Sequence, residues 1–228
     1  MRIAILADIH GNADALEAVV DDLARHAPDA VVNLGDCLSG PLEAARTADR
    51  LIGLGWLTVR GNHDRYLVGP DVSGMGLSDR AAAGQLSERH HAWLRGLPPT
   101  AVLDADVFLC HATPAADDVY WTERVEPDGT VRPAIRAELQ IDLGDVRAAL
   151  VLCGHTHIPR LFRLAAGQII VNPGSVGCPA YTDDSPQPHV VAVGSPHARY
   201  AVADRTSAGW RVGFQSVPVV VFYVAAML

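Results

Sequence analysis

Three observations predict an α/β fold. Short apolar runs alternate with segments of helical periodicity along residues 2–59, and each run ends in a polar cluster of the kind that gathers at strand carboxyl ends. After residue 160 the texture changes to short strands separated by Gly, Pro and Asp, which reads as a mostly antiparallel second sheet.

The elements follow in order. RIAILA (2–7) is an apolar run ending at Asp8, and Ala13, Leu16, Val19, Val20 and Leu23 then recur at helical spacing over 13–26. AVVNL ends at Gly35 and Asp36, a helix is expected over 42–54, and WLTV ends at RGNHD, completing a βαβαβ pattern. A helix over 80–95 leads to VFLC and His111; a helix over 134–142 leads to ALVLC and GHTH. RLFRL, QIIVN, HVVAV, ARYAV and WRVGFQ are the later strands. The C-terminal VPVVVFYVAAML is well short of the roughly 20 residues a membrane helix needs. It reads as a final strand that the core or a second copy must cover, which predicts a homo-oligomer through edge pairing. No repeat or linker interrupts the chain, so residues 1–228 are expected to form one domain, with residues 112–133 as a lid or binding loop. Within that segment Tyr120 and Trp121 either stack on a substrate ring or pin the loop, and PDG reads as a hairpin turn.

Charge narrows the function. Eighteen basic residues against 26 acidic ones give −8, which argues against a broad cationic surface for polymeric nucleic acid and leaves room for a small anionic substrate. Every basic residue is Arg, so Schiff-base and P-loop lysine chemistry is excluded. Four cysteines without a CxxC pair and an N-terminus without a signal-peptide core predict a reduced, cytoplasmic protein that spans no membrane.

The chemistry-bearing residues sit at predicted strand ends. Asp8 and His10 are two apart, Asp36 follows the second strand, Asn62 and His63 the third, His111 the fourth, and His155 with His157 the fifth. Carboxylate, imidazole and one amide suit manganese, iron, zinc, cobalt or nickel and do not suit an oxygen-only calcium site. Apart from His63, seven such ligands remain, too many for one ion and about right for two. Asp8 and Asp36 also fit a plain turn role beside Gly11 and Gly35. Cys37, Cys110 and Cys153 adjoin these residues but read as small buried hydrophobes, and His26, His90, His91, His189 and His197 are given no role. Arg65, after GNHD, is a candidate phosphate clamp, and Asn12 a helix cap that aims a helix N-terminus at the site; both are taken as substrate-binding.

The ordered set DIH, GDCLSGP, RGNHD, a lone His, and GHTH, with NPGSVG beyond it, resembles the calcineurin-like metallophosphoesterase superfamily, nearest its bacterial phosphodiesterase and diadenosine-tetraphosphatase-like branch. The resemblance implies a four-layer αββα sandwich of two mixed sheets flanked by helices. It implies one divalent ion, manganese first in expectation, on Asp8, His10, Asp36 and His157, and another on Asp36, Asn62, His111 and His155. A metal-bridging hydroxide would attack a phosphodiester or nucleotide phosphoanhydride, His63 would protonate the leaving oxygen, and Asp64 would orient His63. Two departures stand out: Ser39 and Gly40 replace the arginine of the protein phosphatases, and Ala112 replaces the glycine that usually follows the lone His. A phosphomonoesterase, or a scaffold that keeps the fold and has lost activity, are the alternatives.

Overall fold

The computed structural model describes residues 1–69 and 75–219. The first part of the chain forms β1 (Arg2–Leu6), α1 (Ala13–Leu23), β2 (Ala30–Asn33), α2 (Ala44–Leu54), β3 (Leu57–Thr58) and α3 (Asn62–Leu67). Two helices, α4 (Leu77–Ala83) and α5 (Glu88–Gly96), precede β4 (Thr100–Leu103) and β5 (Val107–Cys110). A small hairpin, β6 (Glu123–Val125) and β7 (Val131–Pro133), is followed by α6 (Arg136–Leu143) and β8 (Leu150–Leu152). The remainder comprises β9 (Arg160–Arg163), β10 (Ile169–Asn172), β11 (Ala180–Asp183), β12 (His189–Ala192), β13 (Ala198–Thr206) and β14 (Gly209–Val217).

Two five-stranded mixed sheets result, ordered β14-β13-β1-β2-β3 and β4-β5-β8-β10-β9. Their layering follows from alternation along the strands. In β1, Ala4 and Leu6 face Leu16, Val19 and Leu51 of α1 and α2, whereas Ile3 and Ile5 face Leu109, Leu152 and Val171 of the other sheet. Val151 and Ile170 point the opposite way, onto Leu139 and Leu143 of α6. The order helix, sheet, sheet, helix is the expected four-layer sandwich, and burial on both faces explains why the central strands read as unbroken apolar runs.

Two sequence expectations are corrected. The strands after residue 160 do not form one second sheet: β9 and β10 extend the sheet of β5 and β8, β13 pairs onto β1 with β14 outside it, and β11 with β12 stands apart. The antiparallel texture holds for β9/β10, β11/β12 and β13/β14, but which sheet each joins depends on long-range pairing. The helix expected over 80–95 is two helices, because Ser87 starts a new one, its amide donating to His90 Nδ1 at 3.2 Å. The apolar strand expected at the C-terminus falls largely on residues 220–228, outside the described residues, and so does the oligomer contact expected of it. Among the described residues no helix is long and apolar enough to cross a membrane.

Candidate metal centre

The strand ends of both sheets meet. Asp8 and Asp36 follow β1 and β2 of one sheet, while His111 and the pair His155 and His157 follow β5 and β8 of the other. Asn62 and His63 open α3, reached from the end of β3. The chain turns sharply at these points: Asp8, His10, Asp36, His155 and His157 all have positive φ, between 51° and 70°. Non-glycine residues rarely adopt that conformation, at a cost on the order of 1 kcal/mol each. Glycine makes the closest approaches possible. A Cβ at Gly61 would overlap the Asp36 carboxylate, and one at Gly177 would overlap the Ile9 carbonyl between Asp8 and His10.

Two groups of side chains have the geometry to hold a metal ion: Asp8, His10 and His157, and Asp36, His111 and His155. Hydrogen bonding fixes the tautomers. Nδ1 of His10, His111 and His157 lies 2.9, 2.7 and 2.5 Å from the carbonyls of Ser39, Leu34 and Cys178. A carbonyl only accepts, so each Nδ1 donates and each neutral ring presents the Nε2 lone pair. His10 Nε2 and His157 Nε2 then face one another at 3.1 Å. His111 Nε2 lies 3.2 Å from both Asp36 Oδ2 and Asn62 Oδ1, and the buried His155 Nε2 has no hydrogen-bond partner. Lone pairs turned on one another, together with a buried orphan nitrogen, are the arrangement a cation relieves, and the donors suit a borderline divalent ion. Asp36 Oδ2 lies 3.2 Å from His111 Nε2 and 3.9 Å from His10 Nε2, between the two groups.

Electrostatics divide the cluster. Burial lowers His10 to about 4, outweighing the pull of Asp36, and lowers His155 to about 3, where His111 adds to the effect. Burial also pushes His157 well below its ordinary value. It raises Asp8 to about 8, with Asp36 adding to the effect. For His111 and His63 burial opposes charge, yet Asp36 and further hydrogen-bond partners prevail and raise them to about 10 and about 9.

His63 stands beside the clusters, its ring 5.5 Å from that of His10, and its Nδ1 donates to Asp79 Oδ1 at 2.8 Å. Asp79, buried on α4, is therefore the carboxylate that orients His63. The expectation for Asp64 is corrected: its oxygens accept from the amides of Asp36, Cys37 and Gly61 at 2.9, 2.9 and 3.0 Å, tying the second strand's turn to the third. Asn12 caps α1 by accepting from the Ala15 amide, and its Nδ2 donates to the Gly177 carbonyl. Both ends of that buried amide are occupied by backbone, so Asn12 is a brace rather than an open substrate contact. Arg65 donates from Nε and Nη2 to Asp117 at 2.9 and 2.7 Å, so its guanidinium faces a carboxylate rather than an open phosphate position.

The neighbouring features resolve as well. Cys37, Cys110 and Cys153 are buried, and burial pushes all three thiols up, which leaves them small hydrophobes. In NPGSVG, Ser175 Oγ donates to the Asp8 carbonyl and Asn172 Nδ2 to the Gly154 carbonyl, each at 2.7 Å, so this loop straps the Asp8 turn to the GHTH turn. Trp121 is buried against Leu139 while Tyr120 turns to the site, its ring 5.2 Å from that of His155. Tyr181, 4.7 Å from the His157 ring, and His189 join it there. Neither carries a motif, and the strand β11 that presents Tyr181 was not legible in advance.

Fold and site together define a two-sheet α/β protein with adjoining Asp/His metal-binding groups at the strand ends. The profile of the calcineurin-like phosphoesterase superfamily domain matches residues 1–196, and the chain belongs to that superfamily. An uncharacterized protein of Methanocaldococcus jannaschii is 26% identical over 199 residues, 78% of this chain and 76% of that one. Two crystal structures share the fold with TM-score 0.71. One is a metallophosphoesterase from Sphaerobacter thermophilus, 24% identical, matched over 96% of this chain and 89% of its own. The other is a hypothetical protein from Pyrococcus horikoshii, 18% identical, matched over 96% and 88%.

Proposed function

We propose that the chain is a dinuclear metal-dependent phosphodiesterase of small substrates. The observation that carries this reading is the pair of Nε2 lone pairs, on His10 and His157, facing one another at 3.1 Å beside a second group that shares Asp36. Two divalent ions bound there, manganese first among those the donors suit, would polarise phosphoryl oxygens and acidify a water. His63 Nδ1 donates to Asp79, whose carboxylate favours the charged ring, and the proton this leaves at Nε2 serves the leaving oxygen. Asp79 fixes the ring's direction. Carboxylates favour a diester over a monoester: Asp117 and Asp118 take up the Arg65 guanidinium, so this cation does not offset the second charge of a monoester dianion. The overall charge of −8 favours a small substrate over a nucleic-acid polymer.

Hydrolysis of bis(p-nitrophenyl) phosphate by chelator-stripped protein, with manganese restored, tests the reading against p-nitrophenyl phosphate and against His63→Ala. Metal-dependent turnover that favours the diester is expected, with His63→Ala costing little on this substrate, whose nitrophenolate leaves without help, and about a hundredfold on an alkyl diester. Metal binding without turnover of either ester would point to a scaffold, and faster turnover of the monoester to a phosphomonoesterase.

A further inference from the structure

Aromatic rings form two rows across the site. One runs His63, His10, His157, Tyr181, with successive centroids 5.5, 4.9 and 4.7 Å apart. The other runs His111, His155, Tyr120, His189 at 5.2, 5.2 and 5.5 Å. The rows join at the tyrosines, whose hydroxyl oxygens lie 2.5 Å apart. His63 thus stands at one end of the metal-binding groups and the tyrosine pair at the other.

The backbone that carries Tyr120 is anchored. Arg124 Nη1 donates to the carbonyls of Tyr120, Trp121 and Glu123, and the Trp121 ring is buried beneath. The hydrogen bonds at the tyrosine end also have a direction. His189 Nδ1 donates to the Gln187 carbonyl at 2.7 Å, so in the neutral ring Nε2 accepts, and it takes the Tyr120 hydroxyl proton at 2.9 Å. Tyr120 has no second proton, so its oxygen accepts from the Tyr181 hydroxyl. The chain runs from Tyr181 through Tyr120 to His189 and leaves no hydroxyl proton to spare. What remains is an acceptor lone pair on the oxygen of Tyr181, a half-buried residue. A phosphoryl oxygen, itself an acceptor, gains nothing there, whereas a ligand hydroxyl does.

We propose that Tyr181, oriented through Tyr120 and His189, accepts a hydrogen bond from a hydroxyl on the ester group that stays on phosphorus, so that the substrate is a phosphodiester whose retained group is a polyol or sugar. This rests on the phosphodiesterase reading and deepens it. Leaving-group departure belongs to the His63 end, which assigns the retained group to the other.

Calorimetric titration with product monoesters in matched pairs tests the inference without turnover: glycerol phosphate against propyl phosphate, and adenosine monophosphate against dideoxyadenosine monophosphate. The manganese-loaded protein is expected to bind the hydroxylated member of one pair about tenfold more tightly, as one added hydrogen bond allows. The discriminating pair shows whether the group is glycerol or sugar. Tyr181→Phe should bring that ratio to about one at unchanged metal content, and Tyr120→Phe, which keeps the Tyr181 oxygen, should retain part of it. Equal affinities within both pairs, or a ratio that survives in Tyr181→Phe, would overturn the proposal. A ratio that behaves as expected in a protein that hydrolyses no diester would instead overturn the hydrolytic reading and leave the subsite standing.

Discussion

His63 owes its charge to its neighbours. Burial alone would strip its proton; in the metal-free chain Asp36 and the Asp79 carboxylate 2.8 Å away raise it to about 9, and with cations on Asp36 it is Asp79 that holds the charge on the ring. On the proposed reading His63 is the general acid, which works only while protonated, so the reaction should fail on the alkaline side as the ring loses its proton. In Asp79→Asn the ring loses a charged partner, its value falls, and the alkaline limb of the pH–rate profile moves to lower pH. Rates should drop about ten- to a hundredfold for esters with a poor leaving group and hardly at all for p-nitrophenol, which leaves without help. An alkaline limb that stays put in Asp79→Asn would show that this carboxylate only fills space. Asp8, His10, Asp36, Asn62, His63, His111, His155 and His157 were legible because each closes an apolar run. Asp79 was not, since it lies 16 residues from His63 on a helix with no motif, and Tyr181 lies 61 residues from the Tyr120 it meets.

At the scale of elements, the turns after β2 and β3 work as one unit. Asp64 accepts three backbone amides from both turns while wholly buried, and Gly61 lets the Asp36 carboxylate lie directly against the chain. Removing the acceptor would leave three buried donors unpaired. Asp64→Ala is therefore expected to cost about 3 kcal/mol or more of stability and to weaken metal binding by freeing the Asp36 turn, read by denaturant unfolding and by metal titration. A stability change below about 1 kcal/mol would mean that water replaces the carboxylate. The elements legible in the sequence were those buried on both faces, such as β1, β5, β8 and β10. The short β6, β7 and β11 carry little apolar signal and β4, though apolar in three of its four residues, is only half-buried or exposed, so pairing gives these strands their form. Sheet membership after residue 160 was equally hidden, because antiparallel texture says how neighbours run and not which distant strand they join.

In the whole molecule, convergence of two sheets buries more titratable groups than either strand end could hold alone, and this sets how stability depends on pH. His10 and His155, lowered to about 4 and about 3, contribute stability that is present above their ordinary 6.5 and lost as pH falls through the folded values. Asp8, raised to about 8, and His63 and His111, raised to about 9 and about 10, act in the opposite sense: the folded chain binds protons that the unfolded chain releases, so their contribution is lost as pH rises through the folded values. Metal-stripped protein should therefore show a melting temperature that peaks between about pH 6 and 7 and declines on both sides. A divalent ion takes the place of the protons on Asp8 and His111, so its binding releases protons and tightens as pH rises. Melting curves taken with chelator and with manganese across about pH 5 to 9 should diverge most at the alkaline end, where the stripped protein is weakest. A stripped protein whose melting temperature is flat over that range, or a manganese increment that shrinks toward alkaline pH, would mean that these buried groups do not share one cation-binding cluster.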